Sequence, residues 1–131
     1  MNNKLSISDF DEHMNLINPN FQGPVVILFW AAYCPHCTAF HPTFTQAAEE
    51  AAKDGILFLE VHTPDNQDLS KRIAEQADPQ FLIDGVPTVV SYLNGQYYST
   101  YGQGKFPERF RTLNDTLQYA RTIGTAPIVY V

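Results

Sequence analysis

The segment VVILFWAAYCPHC at positions 25–37 constrains the fold of this chain more than any other feature. It begins with an uninterrupted run of branched and aromatic residues and ends in two cysteines that flank Pro35 and His36. Such an apolar run is typical of a central strand that is covered on both faces of its sheet. Proline is favoured in the first turn of a helix, where its missing N–H leaves no hydrogen bond unmade. The segment therefore predicts a buried strand that leads directly into a helix, with Cys34 at the helix N-terminus.

Cys34 and Cys37 are the only cysteines in the sequence of 131 residues. A disulfide framework requires several bridges between distant segments, and one bridge across so short a loop adds little stability. A structural zinc site needs four ligands, and the histidines that accompany the pair do not have zinc-finger spacing. These histidines are His13, His36, His41 and His62. We therefore predict no metal site, and a redox-active dithiol is favoured over two inert thiols.

The rest of the chain predicts further strands and helices around this junction, and from residue 25 onward their order is βαβαββα. The predicted strands are residues 5–7, 25–30, 56–61, 88–93 and 96–101. The predicted helices are residues 8–17, 34–54, 66–77 and 107–121. Asn94 and Gly95 predict a tight hairpin between the last two strands. We therefore expect an α/β protein with a central mixed sheet flanked by helices, in one domain that spans residues 1–131.

Charge and hydrophobicity limit the classes of partner. The formal net charge is −6, from 14 acidic and 8 basic residues, so no basic surface is predicted that would neutralise the phosphates of a nucleic acid. The longest apolar run, PVVILFWAAY, is about half the length that a membrane-spanning helix needs. The N-terminal residues lack the apolar core of a secretory signal. We expect a soluble monomer, cytoplasmic as the sequence is written, with neither nucleic acid nor membrane as a partner.

Several separated motifs together resemble the thioredoxin superfamily over residues 5–120. They are Phe29-Trp30-Ala31 before Tyr33-Cys34-Pro35-His36-Cys37, Pro42 in the next helix, Gly85-Val86-Pro87-Thr88, Asn94-Gly95, and Gly102 or Gly104. The resemblance implies a thioredoxin fold and a thiol–disulfide oxidoreductase that needs no cofactor and acts on protein or small thiol and disulfide substrates. The alternative is a thioredoxin-fold binding or chaperone-like module with little redox turnover. Residues 122–131 lie beyond the resemblance, and the sequence assigns them no role.

The two cysteines are expected to have different roles. Only a thiolate attacks a disulfide, and the unpaired N–H groups and dipole of a helix N-terminus favour the thiolate of Cys34. Cys37, one turn further along the helix, is expected to be buried and to resolve the mixed disulfide. Pro35 and His36 are expected to tune the pair, because a hydrogen bond or positive charge from His36 would stabilise the thiolate and make the pair more oxidising. The alternative is that His36 only caps the turn in solvent.

The substrate is expected to dock beside the cysteines. Tyr33 stands where many family members have tryptophan, so it either lines the substrate surface or is an exposed aromatic without a partner. The resemblance implies a cis bond between Val86 and Pro87, which leaves the backbone of Val86 available to an extended substrate.

One departure from the family concerns a buried acid. Members carry an acidic residue just before the Phe-Trp pair, and here that position is Leu28. Glu60, in the next central strand, is predicted to be the relocated acid and to accept the proton of Cys37. The alternative is an acid near a strand end that reaches water. His41 is expected to be a solvated residue of the helix that begins at the cysteines.

Overall fold

The strand that precedes the cysteines lies inside the sheet. The computed structural model of the chain describes residues 3–76, 85–101 and 112–124. In these residues β1 (Pro24–Trp30) pairs in parallel with β2 (Leu57–His62) and antiparallel with β3 (Thr88–Leu93). The strand β4 (Gln96–Thr100) pairs antiparallel with β3, so the strand order is β2-β1-β3-β4. The predicted mixed sheet is therefore confirmed.

Three α-helices accompany the sheet in the described parts of the chain. They are α1 (Pro35–Ala52), α2 (Gln67–Ala74) and α3 (Leu113–Ala120). From β1 onward the observed order of strands and α-helices is βαβαββα, as predicted. No helix among these described residues is both long enough and apolar enough to cross a membrane.

Successive side chains of β1 enter two different hydrophobic layers, because a strand has a side-chain period of two. Val25, Ile27 and Phe29 belong to one layer, and Val26 and Leu28 belong to the other. The first layer includes residues of the N-terminal segment and α2, namely Leu5, Phe10, Met14, Leu16, Leu69 and Ile73. The second includes residues of α1 and α3, namely Phe40, Phe44, Ala47, Ala51, Leu117 and Ala120. Both faces of β1 are therefore covered, as its apolar sequence predicts.

The hairpin between β3 and β4 turns at Asn94 and Gly95, as predicted. Their φ angles are 51° and 85°, the left-handed values that a tight two-residue hairpin turn needs. A Cβ atom on Gly95 would lie 2.7 Å from the carbonyl oxygen of Leu16, which closely approaches the turn. The Leu16 N–H donates to the Gly95 carbonyl (2.8 Å), so the turn also anchors the N-terminal segment.

The predicted helix at residues 8–17 is wrong. Ile7–Asp9 forms a single 3-10 turn, and the chain then reverses so that Phe10 makes an antiparallel bridge with Leu16. Phe10 and Leu16 are buried, whereas Ile17 is 53% exposed.

The cause of this difference is local hydrogen bonding by Asp11. Its carboxylate accepts the backbone N–H groups of His13 (2.9 Å) and Asn15 (2.8 Å). Short acidic side chains compete in this way with the backbone hydrogen bonds of a helix. Met14 has a φ of 65°, which lies outside the right-handed helical region. The chain therefore folds into a turn here.

The predicted strand at residues 5–7 is also absent as a strand. Lys4 forms an isolated parallel bridge with Glu60, and Leu5 donates its N–H to the Glu60 carbonyl (2.8 Å). The segment therefore touches the open edge of β2 over a short length only, before the 3-10 turn begins.

Some predictions fall outside the described residues. They include the predicted end of the helix observed as α2, at residues 77–79. They also include the predicted start of the last helix, at residues 107–111. Gly102, Gly104 and residues 125–131 of the C-terminal tail also lie there.

Tyr92→Phe tests the link between the sheet and the N-terminal segment. The buried Tyr92 hydroxyl donates to the Met14 carbonyl at 2.6 Å, and burial raises the pKa of Tyr92 well above its usual range. The substitution leaves the carbonyl without this donor, so we expect the free energy of unfolding to fall by about 1–3 kcal/mol at neutral pH. Denaturant titration measures it. Tyr98→Phe is the control, because the Tyr98 hydroxyl makes a longer contact with the Thr122 carbonyl (3.4 Å) at an exposed site. Equal losses in the two variants would contradict the assignment.

Candidate active site

Cys34 lies between the end of β1 and the first residue of α1. Its backbone N–H donates to the Ala31 carbonyl (3.1 Å), which closes a tight turn after the strand. Cys34 is also the N-cap residue of α1, and its Sγ accepts the backbone N–H of Cys37 at 3.3 Å. The sulfur thus occupies the position that an oxygen takes in most capping side chains. It faces the unpaired N–H groups and the positive dipole end of the helix, which favour a thiolate.

Pro35 and His36 form the first turn of α1 between the two cysteines. Both residues are exposed, and Pro35 is the first residue of the helix, as predicted. The Thr38 N–H donates to the Cys34 carbonyl (3.0 Å), and its hydroxyl donates to the Pro35 carbonyl (3.0 Å). The helix therefore begins with its first carbonyl groups already paired.

Cys37 differs sharply from Cys34 in its surroundings. Both are free thiols, but Cys37 is 0% exposed, whereas Cys34 is partly accessible. Burial is the main cause that raises the pKa of the Cys37 thiol to about 12; the hydrogen bond with Cys34 acts in the same direction, and the Ala31 backbone acts against it. Cys37 is thus protonated at neutral pH, and it can attack another sulfur only after it loses that proton.

The loop before β3 lies against Cys34. Val86 and Pro87 are joined by a cis peptide bond, as the sequence resemblance implies, and Pro87 is buried. The Cys34 thiol is directed at the Val86 carbonyl with a distance of 3.7 Å between sulfur and oxygen. The Thr88 hydroxyl donates to the Gly85 carbonyl (2.6 Å), which secures the start of β3. The fold therefore brings this loop to a cysteine that is 52 residues away in sequence.

A cavity of about 250 Å³ opens beside Cys34 on the α2 side of the sheet. It is lined by Phe29, Tyr33, Thr63, Ser70, Ile73, Gly85 and Val86. Tyr33 is 75% exposed at this cavity, although its side chain is large and apolar. The cavity joins the predicted substrate residues Tyr33 and Val86 on one surface.

Glu60 is buried and paired with His41. The carboxylate is on the α1 side of β2, beside Leu28 in the strand register, and Glu60 is 5% exposed. Its Oε2 atom lies 3.0 Å from Nε2 of His41, which follows Cys37 by one helical turn. His41 also packs on the Trp30 ring, with 4.3 Å between the ring centroids. The expectation that His41 is simply solvated is therefore wrong, because the buried carboxylate and Trp30 hold its ring.

A second histidine, His62, contacts Trp30 and the backbone of Ala32 in the same site. It is the last residue of β2, and its ring lies 4.8 Å from that of Trp30. Its Nε2 atom accepts the backbone N–H of Ala32 (3.0 Å), and its Nδ1 atom lies 2.8 Å from Oδ2 of Asp65. The next residue, Thr63, donates its hydroxyl to the Trp30 carbonyl (3.3 Å). The end of β2 therefore holds the backbone that leads into the cysteine turn.

Sequence reasoning missed His41 and His62 as parts of the site, although a signal for each exists. His41 follows Cys37 by four residues, which places the two on one face of a helix. His62 follows Glu60 by two residues, which places the two on one face of a strand. Among the residues that the structure describes, no group of three or more His, Cys, Asp or Glu side chains is arranged to hold a metal ion.

The chain belongs to the thioredoxin family. The family model described as Thioredoxin matches residues 3–115, which include both cysteines and the cis-proline loop. This agrees with the mixed sheet, the flanking helices and the dithiol at the start of α1.

Individual relatives are also thioredoxin-like or disulfide-isomerase proteins. A putative protein disulfide-isomerase of Schizosaccharomyces pombe is 34% identical over 59% of this chain, but the match spans only 14% of that protein. A putative thioredoxin-like protein of invertebrate iridescent virus 6 is 30% identical over 70% of this chain and 75% of the viral protein. Among solved structures, human ERp44 in a zinc-bound form superimposes with a TM-score of 0.67 at 20% identity, over 93% of this chain and 32% of that one. The chain thus matches one domain of much longer relatives as well as most of a short one.

Alkylation of the reduced protein at mildly acidic pH should label Cys34 well before Cys37. Cys34 is accessible at a helix N-terminus, whereas the buried Cys37 has a pKa of about 12 and is almost entirely protonated at such pH. Peptide mapping after a timed pulse of iodoacetamide measures the order of labelling. In the control variant Cys34→Ser, the remaining thiol should be unreactive in the folded protein and reactive in denaturant. Equal labelling of both cysteines in the folded wild type would contradict the assignment.

Proposed function

We propose that this protein is a thiol–disulfide oxidoreductase that exchanges disulfides of protein substrates through Cys34 and Cys37. The observation that carries the proposal is the asymmetry of the pair. Cys34 caps a helix, is partly accessible and faces a cis-proline loop, whereas Cys37 is buried one turn further on. An exposed attacking thiol and a protected resolving thiol are what two-step disulfide exchange requires.

The reaction has two balanced steps in the reducing direction. The thiolate of Cys34 first attacks one sulfur of a substrate disulfide, which forms a mixed disulfide and releases the other substrate sulfur as a thiolate. The thiolate of Cys37 then attacks Sγ of Cys34, which forms the internal disulfide and releases the second substrate thiolate. Two electrons pass from the dithiol to the substrate, and the released thiolates take up protons. The oxidising direction is the reverse of these steps.

The proposed substrate surface is made by the cavity and the cis-proline loop. The Val86 carbonyl accepts a hydrogen bond from the Cys34 thiol in the reduced protein. When Cys34 becomes a thiolate it no longer donates this hydrogen bond, so the carbonyl can accept an N–H from an extended substrate chain. The exposed ring of Tyr33 and the buried Pro87 border the same region. We propose that the cavity beside Tyr33 receives a side chain next to the substrate cysteine.

We further propose that Pro35 and His36 influence the direction of exchange. His36 is exposed and lies in the helical turn that also carries the Cys34 sulfur. A protonated imidazole there stabilises the thiolate, hence the reduced form of the pair, and a more stable reduced form makes a stronger oxidant. Pro35 restricts the turn that holds the two cysteines together.

Insulin reduction with dithiothreitol as the reductant tests the function. The wild type should accelerate the reaction, and Cys34→Ser should lower the rate to that of the uncatalysed control. In a separate reaction without dithiothreitol, pre-reduced Cys37→Ser should still attack insulin but should accumulate as a mixed disulfide that non-reducing gel electrophoresis detects, because the variant has no second thiol to resolve it. A binding module with little redox turnover would show the same low rate in the wild type and in Cys34→Ser. That result would overturn the proposal.

The second step needs a base, because burial keeps Cys37 protonated. We propose that Glu60 accepts this proton. Its carboxylate is buried on the α1 side of the sheet, beside Leu28, in the layer between β2 and α1. A buried carboxylate without a hydrogen-bond partner would be costly, and the contact with His41 compensates it. Transfer from the Cys37 thiol gives a thiolate and a neutral carboxylic acid, so the proton balance is closed.

His41 connects this carboxylate to solvent. Its side chain is 29% exposed, whereas that of Glu60 is 7% exposed, and 3.0 Å separates Nε2 from Oε2. An ionised carboxylate only accepts hydrogen bonds, so Nε2 of His41 carries the hydrogen in the resting protein. After Glu60 has taken the proton of Cys37, exchange of that proton with water through the partly exposed ring requires the other neutral tautomer, in which the hydrogen lies on Nδ1 and the Nε2 lone pair faces the carboxylic acid.

Glu60→Gln separates the two chemical steps. Resolution by Cys37 should slow about 10²-fold, in the range of a positioned base, while the first attack by Cys34 changes little. Rapid acid quenching of a reaction with a disulfide-bonded peptide measures the formation and decay of the mixed disulfide separately. Glu49→Gln, an exposed residue of α1, is the matched control and should leave both rates unchanged. Unchanged decay of the mixed disulfide in Glu60→Gln would contradict this role.

A further inference from the structure

The turn that carries Cys34 is held by two hydrogen bonds from different sources. One is internal, from the Cys34 N–H to the Ala31 carbonyl (3.1 Å). The other comes from the end of β2, where Nε2 of His62 lies 3.0 Å from the Ala32 nitrogen. Ala31 also influences the second cysteine, because its backbone acts to lower the pKa of the Cys37 thiol. Movement of this short turn would therefore disturb the surroundings of both sulfurs.

The contact with Ala32 defines the protonation state of His62. A backbone N–H can only donate, so Nε2 of His62 must present its lone pair to Ala32. The hydrogen of a neutral ring then lies on Nδ1, which is 2.8 Å from the Asp65 carboxylate and donates to it. A doubly protonated ring would direct an N–H at the Ala32 N–H, and this hydrogen bond would be lost. The geometry therefore requires the neutral Nδ1–H tautomer.

We propose that His62, fixed in this tautomer by Asp65, is a positioning residue that sets the turn carrying Cys34. The proposal rests on the proposed function, because it concerns the geometry of the nucleophile. His62 does not touch the sulfurs, and it acts through the Ala32 N–H. Since an acceptor at Nε2 exists only in the neutral ring, protonation of His62 releases the turn and lowers the reactivity of Cys34.

Other titratable groups lie near His62 and bear on its protonation equilibrium. Asp65 contacts Nδ1 directly through its carboxylate. His41 lies against the same Trp30 ring and is paired with Glu60, two residues before His62 on β2. Lys4 bridges to Glu60 through the backbone and is exposed. A pH titration must therefore follow His62 itself rather than infer it from activity alone.

Nuclear magnetic resonance on the wild type tests the geometry without any substitution. At pH 7 the long-range ¹H–¹⁵N spectrum should show a protonated Nδ1 and an unprotonated Nε2 for His62. As the pH is lowered, the amide resonance of Ala32 should shift with the same midpoint as the His62 ring. An Nε2–H tautomer, or an Ala32 amide that does not follow the ring, would overturn the proposal whether or not the protein reduces disulfides.

Two variants test the consequence for Cys34. His62→Phe keeps a ring against Trp30 but removes the acceptor, and the rate of Cys34 alkylation near neutral pH should fall about threefold to tenfold, as expected for one hydrogen bond. His62→Gln keeps an acceptor that does not titrate, so it should recover part of the rate and lack the loss of reactivity that the wild type shows when His62 is protonated. Equal behaviour of His62→Phe and the wild type would refute the positioning role.

Asp65→Asn gives an independent check, because it replaces the carboxylate beside Nδ1 by a neutral amide. The shift of the Ala32 amide should then occur at lower pH, while Asp68→Asn, an exposed acid in the first turn of α2, should leave it unchanged. Identical titrations in Asp65→Asn and the wild type would contradict the proposed part of Asp65. Failure of insulin reduction with a normal His62 tautomer would instead count against the proposed function alone.

Discussion

The hydrogen bond from the Cys37 N–H to the Cys34 sulfur is the contact on which the site depends. It exists because β1 ends and α1 begins within a few residues, so that a cysteine occupies the N-cap position. The core fixes both elements, since β1 is paired on both edges and Phe40 and Phe44 anchor α1 against it. A rigid helix start thus presents one sulfur to the surface and keeps the other inside.

Strand directions explain why the other parts of the site meet there. β2 runs parallel to β1, so its last residue, His62, pairs with Trp30 at the end of β1. β3 runs antiparallel, so its first residue, Thr88, pairs with Phe29 at the same edge of the sheet. The cis-proline loop and the end of β2 therefore converge on Cys34. In open α/β sheets this edge, outside the carboxyl ends of the parallel strands, is where functional sites form.

Polar side chains on the α1 face of β2 are tolerated because each has a partner. Glu60 is paired with His41, His62 is paired with Asp65, and the rings of both histidines pack on Trp30. Burial of charged and polar groups without such partners would destabilise the fold. One acid–histidine pair therefore lies between β2 and α1, and the other holds the turn before Cys34 through the Ala32 N–H.

The sequence by itself determined the features that depend on local patterns. These include the buried strand before the cysteines, the helix that starts at Pro35, the Asn94-Gly95 hairpin and the division between a partly accessible and a buried thiol. The same local reasoning failed at residues 8–17, because the Asp11 carboxylate takes backbone N–H groups that a helix would use. Only the tertiary structure decided the roles open to His41 and His62. Glu60 lies 19 residues from His41 and Ala32 lies 30 residues from His62, so these contacts depend on how the sheet places β2 against α1 and beside β1.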